Sequence, residues 1–270
     1  MKIRNWLTGI LLLSLFFSCK EEQKESVKKF QTLSSDNTTV TFDYHLYQKK
    51  YGSCLNNIDC AEVKINYPQL LNGSNKIELI NNAIISQLLS DNDEDASYQS
   101  FDEISDSLFS QYQNVQKAFS DYKTGWSILK NMNVSGVVNN FISIKKEVII
   151  YTGGANNYFN VTLSIFDLNS GEQQLLSKFV NLEKMDELLK IGEKNFKKIK
   201  NISEDQTLRD SCFWFENDKF YLPDNFSVSD YGFVFFYNLY EITPRSEGFT
   251  ELFIPKEELL DVLITGLVYL

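Results

Sequence analysis

The residues with the most obvious chemistry are four cysteines and a single histidine. Cys54 and Cys60 flank a polar five-residue loop, a spacing that predicts a disulfide in an oxidising compartment. With Cys212 and His45 they also provide the ligand types of a zinc site, but their scatter matches no zinc-ligand spacing. A nucleophilic site would have to use His45 as its base. Cys212 lies in an aromatic stretch, which predicts a buried and inert thiol.

The fourth cysteine, Cys19, closes an N-terminal export signal. Two basic residues precede an apolar run over residues 6–17, which at about 1.5 Å per residue is too short to span a bilayer. A small residue followed by cysteine at the end of such a run resembles a bacterial lipobox, in which cleavage leaves a lipid-modified cysteine. The Lys-Glu-Glu that follows resembles the surface-export signal of Bacteroidota-type lipoproteins. We therefore predict a lipoprotein signal peptide over residues 1–18 and an outer-membrane lipoprotein exposed at the cell surface.

The mature chain is strongly acidic. Loss of Lys2 and Arg4 with the signal leaves 24 Lys plus Arg against 36 Asp plus Glu, a formal charge of −12. Such a field repels nucleic acid and attracts cationic proteins. The charge predicts no nucleic-acid partner, and membrane contact is expected through lipidated Cys19.

Common catalytic motifs are absent from the sequence. It contains no Gly-x-Ser-x-Gly elbow, no His-Glu-x-x-His zinc helix and no Gly-rich phosphate loop. The acidic run 91–95, with Asp102, is similar to a calcium loop, but Ala96 occupies the position that needs glycine. A glycosidase with two carboxylates stays open, because the separation of its acids is three-dimensional. We predict no enzyme, no metal and no cofactor.

Hydrophobic periodicity predicts the elements of the first half. Residues 19–36 lack apolar periodicity and are predicted to form a flexible tether. Alternation predicts strands over 40–47 and 61–67 that pair around the cysteine loop, with Pro68 ending the second. Helical spacing predicts one helix over 77–88. A capping box at residues 100–103 opens another, whose apolar stripe runs through Phe119 and Tyr122 to Gly125.

Similar patterns continue in the second half. Two long strands are predicted within 126–152, turning near Asn139 and Asn140, with further strands at 158–168, 173–176, 226–229, 233–237 and 250–254. A helix spanning 185–196 follows a cap at Asn181, and Pro255 begins a short C-terminal helix. These elements predict an α+β fold with a mixed, mainly antiparallel sheet flanked by helices. Its two interlocked halves span residues 37–150 and 151–270.

Three blocks of the second half carry a family resemblance. They are residues 151–156 (Tyr-Thr-Gly-Gly-Ala-Asn), residues 166–171 (Phe-Asp-Leu-Asn-Ser-Gly) and the strand 233–237 leading into residues 240–248. In this order the three blocks resemble the extracytoplasmic module of RsiV-type anti-sigma factors. The same module also occurs beside polysaccharide deacetylase domains. The usual family pattern is Tyr-x-Gly-Gly-Ala-His, and here Asn156 replaces the histidine.

The resemblance implies a binding module without catalytic activity, since RsiV-type modules bind lysozyme. The expected ligand is lysozyme or another cationic protein. The alternative is an envelope glycan-active enzyme or its accessory, suggested by the deacetylase association. Both segments also have a structural interpretation. Gly153 and Gly154 could form only a tight connection. Residues 240–245 could form a structural corner in which Glu241 pairs with Arg245. The candidate ligand-binding residues are Tyr151, Gly153, Gly154, Ala155, Asn156, Asn157, Tyr240, Glu241 and Arg245.

Overall fold

The computed structural model describes residues 31–35, 38–56, 58–71, 73–90 and 97–264. The predicted signal peptide, Cys19, residues 19–30 of the tether and the acidic run 91–95 lie outside the described residues. Residues 31–35, predicted as tether, instead form a strand that pairs with residues 38–42. The predicted α+β class is confirmed: a mostly antiparallel seven-stranded sheet and a three-stranded sheet are flanked by helices. Within the described ranges, no helix has both the length and the apolar character needed to cross a membrane.

The seven-stranded sheet follows the order of the chain. Its strands are β1 (Gln31–Ser35), β2 (Thr38–Leu55), β3 (Ile58–Leu70), β4 (Trp126–Val138), β5 (Phe141–Tyr151), β6 (Tyr158–Asp167) and β7 (Gln173–Gln174). Neighbours are antiparallel except β3 and β4, which run parallel because α1 (Asn75–Leu89) and α2 (Phe101–Ala118) form the crossover between them.

The pairing of β2 with β3 around the cysteine loop is confirmed, but the predicted end of β3 at Pro68 is wrong. The strand continues to Leu70, with Pro68 opposite Tyr44. On its other side β4 pairs only as far as Asn66. Pro68 therefore lies where β3 has a neighbour on one side only, and a missing N–H is tolerated there.

The capping box of α2 is confirmed, but the predicted end of the helix is not. Ser100 Oγ accepts from Glu103 N at 3.1 Å, and Glu103 Oε2 accepts from Gln99 N at 2.6 Å. The helix stops at Ala118, and Phe119 is 66% exposed rather than part of the buried stripe. The chain turns there, which brings Tyr122 back to Trp126.

Two lysines of the sheet donate hydrogen bonds to carbonyl oxygens at the C-terminal end of α1. Lys130 Nζ donates to the carbonyl oxygens of Leu88 at 2.7 Å and Ser90 at 3.2 Å, and Lys146 Nζ donates to that of Gln87 at 3.1 Å. Burial lowers the pKa of Lys146. The last turn of α1 has no basic residue of its own, so the sheet supplies the cations that its terminal carbonyls favour.

Residues 176–264 form a C-terminal lobe on the opposite face of the seven-stranded sheet. Their main elements are α3 (Met185–Ile199), β8 (Phe226–Ser229), β9 (Gly232–Tyr237), β10 (Thr250–Pro255) and α4 (Lys256–Leu259). The three strands form an antiparallel sheet in the order β10-β9-β8. Its core includes Phe141 and Ile165 of the larger sheet, so the two sheets share one hydrophobic cluster.

Several local predictions in this lobe are corrected. The segment around Leu176 is a 3-10 turn, and Asn181 caps another 3-10 turn that precedes α3. Pro255 is the cap of α4, which begins at Lys256. Cys212 is exposed rather than buried, because its backbone adopts φ 65° and the neighbouring Phe213 takes the position against Phe196.

The predicted disulfide between Cys54 and Cys60 is present. Both thiols are therefore unavailable to the zinc site considered above. Closure of this short loop is expected to stabilise the protein by about 2 kcal/mol. Replacing both cysteines by serine should lower the urea midpoint of unfolding accordingly. Cys212→Ser is the matched control and should leave the midpoint unchanged. Equal midpoints for all three proteins would contradict this role.

Candidate ligand-binding groove and loop

One face of the seven-stranded sheet stays uncovered beside the C-terminal lobe. Side chains alternate along a strand, so odd-numbered residues of β3 pack under α1 and α2, while Glu62, Lys64 and Asn66 point to the opposite face. Two clefts of about 710 Å³ and 500 Å³ lie on this face, and Leu129 lines both. Together the two clefts lie along β3, β4 and β5, and we call them the open-face groove.

The wide end of the open-face groove lies where three loops meet. Cys60, beside the hairpin tip, lines it together with the segment 121–125 and with Tyr151 at the end of β5. Two features predicted separately, the disulfide and the candidate Tyr151, thus border the same cleft. Glu62 and Asp121 supply negative charge there, and Lys123 supplies a positive charge.

The loop that follows Tyr151 requires glycine at its first turn. Gly153 has φ +85°, and a Cβ at this position would overlap the hydroxyl of Tyr122. That hydroxyl accepts a hydrogen bond from Trp126 Nε1 at 2.8 Å, so it is held in place. The tight-connection interpretation of Gly153 is therefore supported. The following residues Gly154, Ala155 and Asn156 are exposed.

Arg245 joins this loop to the C-terminal lobe. Its Nη1 donates to the backbone carbonyl of Asn157 at 2.9 Å, and its Nη2 donates to Asn157 Oδ1 at 2.7 Å. The predicted pairing of Arg245 with Glu241 is wrong, because the guanidinium is directed to Asn157. Arg245 thus contacts a residue 88 positions earlier in the chain, directly after the motif block 151–156.

Glu241 has a structural role at the corner before Arg245. Its Oε2 accepts from the backbone N–H of Asn238 at 2.7 Å, and its Oε1 accepts from the Tyr221 hydroxyl at 3.4 Å. Burial raises the pKa of Glu241 and, with the nearby carboxylate, raises the pKa of Tyr221 to about 12. Tyr240, in contrast, is 59% exposed and available for contact.

The single histidine is placed away from this site. His45 Nε2 lies 3.1 Å from Asp43 Oδ1, and the ring stacks on Tyr67 with centroids 5.5 Å apart. Among the described residues that line the open-face groove, the one sulfur belongs to the disulfide and there is no imidazole. In the same described ranges, no three potential His, Cys, Asp or Glu ligands group as a metal site.

Sequence reasoning missed the middle of the open-face groove. Asn66 Nδ2 donates to Asn131 Oδ1 at 2.9 Å across the parallel pair β3 and β4, and Glu147 and Ile149 complete the wall. The polar alternation of residues 62, 64 and 66 was a visible signal of a solvent-facing side. Which strand lies next to β3 was not visible, since it depends on the crossover through α1 and α2.

Comparisons with known proteins place this fold. Residues 173–257 match the model of a family described as a protein of unknown function, DUF3298. A DUF3298 family protein from Bacteroides fragilis has a similar structure, with TM-score 0.66, 17% identity and coverage of 84% of this chain and 94% of that chain. Another from Pseudomonas aeruginosa PAO1 gives TM-score 0.63 and 15% identity, covering 84% and 96%. No curated protein matches. Residues 173–257 are therefore similar to the DUF3298 domain, and the whole chain resembles solved DUF3298 proteins in its fold.

Proposed function

We propose that this protein is an extracellular binding module that captures lysozyme or another cationic protein at the cell surface, held there by lipid on Cys19. The observation that carries the proposal is the contact between Arg245, in one motif block of the RsiV-type resemblance, and Asn157, which directly follows another. We assign the binding surface to the loop 152–157 with Arg245 and to the wide end of the open-face groove, which Tyr151 lines. Exposed Tyr240, five residues before Arg245, is a further candidate contact.

Charge supports a cationic ligand. The mature chain has a formal charge of −12, and residues 238–253 contain three glutamates and one arginine. That arginine is already bonded to Asn157. Complementary charge of this kind accelerates encounter and makes binding sensitive to salt.

The chemistry of the site favours binding over catalysis. Its described side chains are amides, carboxylates, a lysine and phenol rings, and the backbone of the loop presents further donors and acceptors. Such a surface can bind a protruding segment of a partner protein although it has no catalytic group. Its turns are already fixed, which limits the conformational entropy lost on binding.

Binding to lysozyme tests the proposal. The unlipidated chain of residues 20–270 is to be measured by interferometry at low and at physiological salt, with lysozyme activity followed in parallel. We expect binding that weakens as salt rises, together with inhibition. Gly153→Ala should weaken it roughly tenfold, since a Cβ at φ +85° forces the loop off the Tyr122 hydroxyl. Arg245→Ala should act in the same direction.

Gly73→Ala is the matched control, because Gly73 has open space around it. It should bind as the parent does, and thermal melting should show that all variants are folded. Absence of lysozyme binding at both salts would overturn the proposal for this ligand. Binding that neither variant weakens would place the site elsewhere.

A second candidate function is that of a glycan-binding accessory, favoured by the amide pair Asn66 and Asn131 on the floor of the open-face groove beside Leu129 and Ile149. Amides and aliphatic surface suit the hydroxyls and ring faces of sugars. Soluble peptidoglycan fragments are the second analyte in the same assay. Fragment binding that Asn131→Ala abolishes, without lysozyme binding, would favour this candidate.

A further inference from the structure

The outer face of α3 is unusual in this acidic protein because it is basic. Four lysines recur there at helical spacing and therefore share one side of the helix. Over residues 190–200 the chain has five lysines and one glutamate, whereas the whole sequence has a formal charge of −10. The four that line one groove are Lys190, Lys194, Lys197 and Lys198.

The four ammonium groups differ in how far they are neutralised by nearby carboxylates. Lys190 and Lys198 are exposed and make no ion pair within the described part of the chain. The side chain of Lys194 is 70% exposed and reaches Glu258 only at 3.4 Å. Lys197 Nζ donates to the carbonyl oxygens of Glu204 and Gln206 and also lies 3.5 Å from Glu193 Oε1. Lys190 and Lys198 are thus free to meet an external anion, and the exposed Lys194 can do so by giving up its contact with Glu258.

The lysines border a shallow groove of about 430 Å³ between α3 and the segment that follows it. Ile202 lines this groove, and Ile199 at the end of α3 is 44% exposed. Glu193 and Glu204 also line it, so the lining keeps an excess of two positive charges. Cationic side chains and a few apolar side chains thus lie side by side, as they do on helices that bind at a membrane interface.

We infer that the outer face of α3 docks on the phosphate headgroups of an anionic lipid surface and orients the body of the protein on its membrane. Each basic residue near such a surface contributes about fivefold to affinity. The inference rests on the proposed anchor at Cys19, because a tether raises the effective concentration enough for a weak contact to matter. The rest of the acidic body would be repelled, so this face is the one that approaches.

This orientation has a consequence for the candidate site. In β9, Phe233, Phe235 and Tyr237 face the core that includes α3, whereas Phe236 faces the opposite side. Phe249 stacks on Phe236 on that opposite side and also on Phe159 of β6, two residues from Asn157. With α3 on the membrane, this side of the lobe and the adjoining loop turn away from the bilayer, towards partners in the medium.

Vesicle co-sedimentation tests the inference with the unlipidated chain of residues 20–270. We expect binding to vesicles of phosphatidylglycerol and phosphatidylcholine at low salt, and none to pure phosphatidylcholine. The triple variant Lys190→Gln, Lys194→Gln, Lys198→Gln should weaken binding more than tenfold. No lysozyme is present, so this result is independent of the proposed capture function.

The matched control removes the same charge elsewhere, at exposed lysines with no ion pair in the described ranges, by Lys76→Gln, Lys117→Gln and Lys219→Gln. It should retain vesicle binding. Equal loss in both triple variants would overturn the inference, since net charge alone would then explain the result. Binding to soluble polygalacturonate but not to vesicles would overturn it in favour of an acidic polysaccharide.

Discussion

Replacing Phe196 by alanine is expected to lower the free energy of unfolding by about 3 to 5 kcal/mol. The ring of Phe196 is fully buried at the centre of the C-terminal lobe. Its centroid lies 5.0 Å from that of Phe213, 5.3 Å from Phe215 and 5.6 Å from Phe220. Removing the ring leaves a cavity whose aromatic walls are fixed by one another, so the site can collapse only partly.

Urea unfolding followed by tryptophan fluorescence measures this effect. Phe119→Ala is the matched control, since it deletes the same ring at a position that is 66% exposed. Its stability should stay within about 0.5 kcal/mol of the parent. If the two variants were equally stable, the aromatic cluster around Phe196 would not be the core of the lobe.

The parts of the fold that depend on local sequence were predictable. The capping box at Ser100, the turn at Asn139 with φ 47° and the alternating strands all follow from short-range chemistry, and the structure has them. The ends of elements were less predictable. Past Ala118 the chain turns and Tyr122 meets Trp126, a contact that the helical spacing of Phe119 and Tyr122 does not reveal.

The candidate site was only partly predictable for the same reason. The residue types of the loop 152–157 and of the corner 240–245 were visible, but the bond that unites them was not. Glu241 and Arg245 have opposite charges four residues apart, so local reasoning paired them. In the structure, Arg245 instead donates to Asn157, and Glu241 accepts from the backbone N–H of Asn238. Long-range partners of this kind are set by the packing of the lobe against β6.

The edge of β6 shows how that packing is achieved. β6 pairs with β5 on one side, but on its other side only Ile165 and Phe166 pair with β7. Two asparagines of the C-terminal lobe take the place of a strand. Asn238 Oδ1 accepts from Val161 N at 2.7 Å, while Asn225 Oδ1 accepts from Leu163 N at 2.7 Å. These bonds occupy backbone groups at the edge of β6 that could otherwise pair with a strand of another chain.

Asn225→Ala is therefore expected to cost about 2 to 4 kcal/mol, because it removes the partners of Leu163 N and of the Phe236 carbonyl oxygen. Asn225 Nδ2 also donates to the carbonyl oxygens of Val161 at 2.9 Å and Phe236 at 3.0 Å. Urea unfolding provides the measurement. Asn114→Ala, at an exposed position of α2, is the control and should be neutral or slightly stabilising. A similar small change at Asn225 would contradict the proposed bridging role.

Asn225→Asp tests the contribution of the donated hydrogen bonds to stability, because aspartate keeps the shape of the side chain but lacks the amide N–H groups. The carboxylate keeps the acceptor for Leu163 N but faces the carbonyl oxygens of Val161 and Phe236, so the folded state should raise its pKa. The native state then binds more protons than the unfolded chain, and the loss of stability should shrink as pH falls through that raised pKa. Because Asn225 belongs to the DUF3298 match and Val161 does not, this variant also tests whether residues 173–257 depend on β6 for their stability.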